Sequence, residues 1–404
     1  MKKIVVSSAL SVLLVLPAMA FEVYNNDENG VKVDVYGSIR GYVGYGESGK
    51  AGADAGYLIG IQDNSQFGVK FQKDKFKANV EWGAVEPGVD GNENSPKKTG
   101  TGWRHFWGSY TTTAGTFLFG KTNTPTIDNG FTNDFFNNDN GSQGFGGVAT
   151  GSRKIQIQYN VAGLSLALVE DKVGAGRNAQ SDTVGPNQES PRIAASYTIN
   201  DDKGKPTFKV AATYKYYNSS TILGNLGTPD QPINTQGVSA YHAWLGVKQS
   251  FGGMFISAMA HYGKNGHLYG EQSTTYSYGG YAHDKTLDTA VGLDAQRAGA
   301  RLEIGSKLSD DMSVIVGAGY QATFGGTGQK NVVVTASGAK DSMIHGYSAF
   351  IQLPYKVSSN FTFAPQVSFY QTIEGTKGEG SVGALATSRK ETGVIAAARI
   401  KWDF

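Results

Sequence analysis

Cysteine is absent from the 404 residues. That excludes disulfide stapling, and with it the small secreted scaffolds that depend on it. Histidine is scarce: His105, His242, His261, His267, His283 and His345 are scattered, with no His-Glu-x-x-His spacing. His261 and His267 could meet a surface ion in principle, but isolated loop and rim histidines are far commoner, and no cofactor is expected. Beyond residue 20 no apolar run is long enough for a transmembrane helix. Charge of one sign is missing as well, with 36 basic residues against 34 acidic ones. Nucleic acid is therefore not an expected partner.

What is plentiful is glycine and aromatic side chains: 55 Gly, 21 Tyr and 20 Phe. Lys2 and Lys3 precede the apolar run Ile4 to Leu16 and the small-x-small ending Ala18–Ala20. This reads as an export signal over 1–20, leaving 21–404 as a single domain. Losing it removes two lysines and no acid, so the remainder is formally neutral. Mean hydropathy is only −0.30. A transmembrane barrel gives such an average, because half of each strand faces a wet lumen.

Period-2 alternation recurs along the chain. In "VKVDVYGSIRGYVGY" Val31, Val33, Val35, Ile39, Val43 and Tyr45 share one face, with Lys32, Asp34, Ser38 and Arg40 on the other. In "SQFGVKF" Phe67, Val69 and Phe71 oppose Gln66 and Lys70. "FKANVEW", "RIAASYTI" and "FKVAATYKY" follow the same rule, and so does the terminal "VIAAARIKWDF". Each is a strand with one apolar and one polar face. No comparable stretch carries a helical stripe.

Short turns such as "QKDK" (72–75), "NVAG" (160–163), "NDDKGK" (200–205), "FGG" (251–253) and "LSDD" (308–311) alternate with long loops. The long ones cover roughly 46–56, 84–102, 122–152, 172–190, 218–239, 264–294, 325–342 and 374–390. The expectation is an all-β, closed antiparallel transmembrane barrel of about sixteen strands, with eighteen left open. A closed sheet has no edge to expose to hydrocarbon. Trp402 and Phe404 would then lie in the closing strand. A secreted sandwich is the soluble alternative, but it has no need for alternating short and long connections.

Particular segments resemble the Gram-negative general-diffusion porins, trimeric sixteen-stranded channels of the outer membrane. The opening "FEVYNNDENGVKVDVYGSIRGYVGYG", then "SQFGVKF", the hairpin "WRHFWGSY…GTFLFGKTNTP", the stretch "GFGGVATGSRKIQIQY" and the terminal Phe404 carry the likeness. It is clear for about the first 160 residues and the last strand. The resemblance implies passive diffusion of small hydrophilic solutes and ions without an enzymatic step. It also implies a homotrimer among outer-membrane lipid and lipopolysaccharide, and a third loop (122–152) folded into the lumen. Asp128, Asp134 and Asp139 would be that loop's acids, facing basic wall residues Arg40, Lys70, Arg104 and Arg153. Arg40 and Lys70 are inward by parity, and Arg104 by the resemblance. Arg153 shares parity with the lipid-facing Ile155 and Ile157, so it serves the pore only above the membrane or beyond a bulge.

Phe131, Phe135, Phe136 and Phe145 are an unusual load for a loop surrounded by water. Two other readings stay open: a substrate- or anion-selective porin, and a plugged barrel acting as an adhesin or structural protein. "GYGESG" (44–49) matches a dinucleotide fingerprint, but no helical pattern follows it.

Overall fold

The computed structural model describes residues 21–26, 28–46, 56–62, 65–85, 100–128, 130–134, 146, 153–170, 190–217, 238–266, 277–278, 281–282, 296–324, 342–376 and 389–404. The strands are β1 (Phe21–Asn26), β2 (Val31–Gly46), β3 (Gly56–Ile61), β4 (Gln66–Lys73), β5 (Phe76–Val85), β6 (Gly100–Thr112) and β7 (Gly115–Thr122). Next come β8 (Lys154–Val161), β9 (Leu164–Val169), β10 (Arg192–Asn200), β11 (Pro206–Tyr217), β12 (Val238–Phe251) and β13 (Met254–Lys264). A small separate hairpin, β14 (Ser277–Tyr278) and β15 (Tyr281–Ala282), precedes β16 (Gln296–Lys307) and β17 (Ser313–Phe324). The last are β18 (Ser342–Gln352), β19 (Tyr355–Lys356), β20 (Phe361–Thr376) and β21 (Arg389–Asp403).

Every pairing in the large sheet is antiparallel, and β21 pairs back onto β2, so the sheet closes. Nineteen strands make sixteen barrel positions because three positions are shared. β3 and β4 lie end to end along one edge of β2. β18 and β19 do the same along β20. On the other edge of β2, β21 covers Ser38 to Gly46 and β1 continues the line from Val35 to Val31. At that junction Gly37 exchanges both backbone hydrogen bonds with Phe404, at 2.8 and 3.0 Å. Gly37 must be bare, since a Cβ there would meet the Phe404 ring at 2.3 Å.

The two faces sort as a membrane barrel requires. Val43, Ile155, Ile157, Leu166, Leu168, Val210, Leu245, Leu302, Val316 and Val367 are all exposed on the outside. Polar side chains such as Ser196, Thr213, Gln321, Gln366 and Ser368 are buried on the inside. Aromatic rings collect at both ends of the outer face: Phe76, Tyr110, Phe117 and Phe251 near the short turns, Tyr45, Tyr57, Tyr214 and Tyr241 toward the long loops. An apolar band flanked by aromatic girdles is matched to hydrocarbon and its interfaces.

The short turns are tight. Ala162 and Gly163 both have positive φ (46° and 85°), the type I′ geometry that follows the twist of its strands. Asp74 (51°) and Gly252 (60°) serve the turns after β4 and β12.

Candidate functional site

One stretch of inner wall gathers cations. Arg40 stands on β2, and its backbone is pinned where β3 gives way to β4. Ser65 Oγ accepts from the Arg40 N–H (2.9 Å) and donates to its carbonyl (3.0 Å), while Gln62 N–H donates to the same carbonyl (2.8 Å). The Arg40 Nε donates to Ser38 Oγ (2.9 Å). On the adjoining β4, the Lys70 ammonium lies 4.5 Å from the centre of the Tyr36 ring. Tyr36 in turn donates to Glu81 Oε2 (2.8 Å).

Arg104 reaches this wall through a bulge. The β5–β6 register pairs Glu81 with His105 and Trp82 with Trp103, leaving Arg104 as an extra residue. Trp103 and Phe106 both point outward, so Arg104 and His105 are carried inward together. Arg104 Nε donates to Glu81 Oε1 at 2.7 Å. Glu81 is 4% exposed, so this pair is shielded from bulk water.

Arg153 immediately precedes β8, outside the strand whose parity would have sent it to lipid. Burial, with Arg104 beside it, pushes its guanidinium down to about 10, and Glu81 only partly opposes this. It therefore remains charged at neutral pH. Its Nε has no hydrogen-bond partner. Arg399 on β21 is another cation inside the barrel, within electrostatic reach of Arg40. The sequence reading missed it as a pore residue, although it shares parity with Lys401 and Asp403.

The opposite stretch of wall is covered by segment 123–134. Its contacts march across the inward side chains of successive strands. Gln156 on β8 donates to the Asn123 carbonyl (2.8 Å), and Trp244 Nε1 on β12 donates to that of Thr126 (2.8 Å). Lys209 on β11 and Lys248 on β12 take the carbonyls of Ile127 (2.7 Å) and Gly130 (3.0 Å). Ser257 on β13 donates to that of Phe131 (2.7 Å).

Phe131 is 1% exposed, packed with Ala211, Trp244 and Met259 over the bare backbone of Gly246. Burying such a ring is worth about 1.5–3 kcal/mol. The remaining contacts are polar, most of them with a charged partner. Asp128 pairs with Arg301 on β16, both almost fully buried. Glu303 accepts from the Thr132 hydroxyl and from Asn133 N and Nδ2 (2.8 and 2.9 Å). Gln352 donates to the Asn133 carbonyl (3.0 Å), and Gln366 to Asp134 Oδ1 (2.6 Å).

Of the three loop acids named from the sequence, Asp128 and Asp134 are thus held by wall side chains, and Asp139 lies outside the described residues. Phe135, Phe136 and Phe145 lie outside them too. The wall partners Arg301, Glu303, Gln352 and Gln366 were missed. For the first two a signal existed: in "RLEIG" Leu302 and Ile304 face out, so Arg301 and Glu303 must face in. Among the described residues no three His, Asp or Glu side chains converge on a possible metal position.

No protein-family profile matches the chain, and no curated protein matches it. Solved structures do. The outer membrane channel DcaP of Acinetobacter baumannii superposes with a TM-score of 0.60 at 16% identity, over 94% of this chain and 99% of that one. The anion-selective porin from Comamonas acidovorans gives 0.54 at 14%, over 93% and 100%. Salmonella typhi OmpF, solved with daunomycin, gives 0.53 at 14%, over 95% and 100%. At such identities the likeness establishes the fold, that of the sixteen-stranded porin barrels of the Gram-negative outer membrane.

Proposed function

We propose that the barrel is an outer-membrane porin, a water-filled passive channel for small hydrophilic solutes and ions. Loop 122–152 narrows it, and residues 1–20 direct export. The observation that carries this reading is the unequal inner wall: arginines and lysine on β2, β4, β6 and β21, with a loop strapped to the wall elsewhere. Charges fixed at a partly dry slot set up a transverse field. Dipolar solutes align in that field, while apolar ones must break ordered water. Wall charges also bias which ions enter. In this reading Arg40, Lys70, Arg104 and Arg153 form the basic side, and Asp128, Asp134 and Asp139 belong to the constricting loop. Trp402 and Phe404 complete the closing seam. Assembly as a homotrimer in lipopolysaccharide-bearing membrane is part of the same proposal.

A preference for anions is the second reading, favoured by one observation. Asp128 and Asp134 are taken up by Arg301 and Gln366, whereas Arg153 keeps a nitrogen without a partner. The Comamonas structure, described as anion-selective, has the same fold.

Uptake decides between channel and plug. Liposomes carrying the folded protein should swell in small sugars, at rates falling steeply with solute size. Liposomes that stay as tight as protein-free ones would contradict the channel and favour the plugged barrel.

A further inference from the structure

Two imidazoles on the loop-covered side of the wall are left without hydrogen bonds. His242 on β12 and His261 on β13 are 1% and 6% exposed, with ring centres 5.5 Å apart at 71°. Neither Nδ1 nor Nε2 of either ring has a partner. Buried polar atoms are nearly always bonded, to protein, to ordered water or to a bound ligand. Four such nitrogens side by side leave a polar place that the protein itself does not fill.

The barrel register defines its surroundings. His242 faces Gly263 and His261 faces Gly299 across the neighbouring strand. A Cβ at Gly299 would come within 2.4 Å of His261 Nε2, so the bare glycine gives the ring its room. Arg297 and Arg301 stand two residues either side of Gly299, on the same face, and both act on His261 through their charge. Arg301 holds Asp128 through Nη2, while its Nε and Nη1 have no partner. Two acceptors are also left over: Asp128 Oδ1, and Oε1 of Gln321, whose residue pairs with Gly299.

This inventory selects a chemistry. A divalent metal would meet the like charge of two guanidinium groups, Arg297 and Arg301. An anion meets guanidinium and imidazole N–H groups, whose bonds to a charged acceptor are the stronger kind. Asp128 Oδ1 needs a donor, so the best-suited anion carries its own O–H.

We propose that His242, His261 and Arg301 bind a hydrogen-bearing oxyanion of the phosphate class, enclosed between the inner wall and Asp128 of the covering segment. A conducting pore has no need of such a site, so the inference stands apart from the channel reading. The anion would also tie the covering segment to the wall through Asp128.

The test is calorimetric titration of the folded, detergent-solubilised full chain with inorganic phosphate and, separately, with sulfate. Saturable uptake near one phosphate per chain is expected, about tenfold tighter than sulfate, which lacks the proton for Asp128. His242→Phe/His261→Phe should weaken phosphate by about tenfold or more, and His242→Gln/His261→Gln, which restores N–H donors, should recover most of it. No saturable phosphate uptake, equal affinity for sulfate, or full binding by the phenylalanine pair would overturn the proposal. Loss of binding in Arg104→Gln, with the histidine variants intact, would overturn it too by moving the anion to the basic wall. If the phenylalanine pair does not fold, the phosphate-to-sulfate ratio of the unaltered chain decides. A barrel that conducts ions but takes up no phosphate refutes this site and leaves the channel reading in place.

Discussion

The two halves of the inner wall spend their polar residues differently. On the half formed by β2, β4, β6 and β21, cations crowd together. Glu81 is shared between Arg104 and Tyr36, and no described loop segment covers them. On the half formed by β11, β12, β13, β16, β18 and β20, each strand sends at least one inward side chain to segment 123–134, which adds an apolar anchor in Phe131. Among the cations of the first half, the buried Glu81 carboxylate offsets part of their mutual repulsion. A loop can be held against a wall only where backbone carbonyls, opposite charges and a buried ring meet it. In the proposed channel, the first half acts on what passes and the second fixes the width of the passage.

The comparison can be broken most severely on the covered half. Asp128→Asn leaves Arg301 as a buried charge without its counter-ion, a loss of about 3–5 kcal/mol in loop docking. Because the chain has no native thiol, a cysteine placed at Asn133 reports docking by its maleimide reaction rate. That rate should rise sharply in Asp128→Asn and fall part of the way back when Arg301→Gln is added. An unchanged rate would mean that the pair does not hold the loop.

Phe131→Ala removes the anchor ring, also at about 3–5 kcal/mol. The same cysteine should become reactive, and open-channel current should grow noisier. Arg153→Gln probes the other half. It should leave thiol protection as it was and lower the anion-to-cation permeability ratio by about twofold, read from the reversal potential. Lys248→Met sharpens the contrast with the smallest effect. It removes one half-exposed hydrogen bond to the loop, worth about 0.5–1.5 kcal/mol, and should raise the thiol rate only slightly.

Much of the barrel was legible in the sequence because period-2 alternation is a local property. Phe67, Val69 and Phe71 face out and Lys70 faces in, as their spacing requires. The described strands end where glycine- and asparagine-rich stretches interrupt that alternation. Breaks in the period were harder to see. Arg104 and His105 are adjacent in sequence yet both point inward, because a bulge at Glu81 adds one residue to β6.

Contacts across the lumen were harder still. Asp128 and Arg301 are 173 residues apart, and nothing in either neighbourhood names the other. Parity alone puts Arg301 on the inner face, but only the path of the loop brings Asp128 to it. The same holds for His242 and His261: their inward parity is readable, whereas their lack of partners appears only once the surrounding wall is in place.

Single-channel recording in a planar bilayer under a salt gradient, with protein shown to be folded, tests the open channel most directly. Stepwise openings, grouped in threes, and a reversal potential of the sign that marks anions as the more permeant ions are predicted. A silent bilayer would contradict the open channel. Openings with a clear cation preference would contradict the dominance of the wall formed by Arg40, Lys70, Arg104 and Arg153.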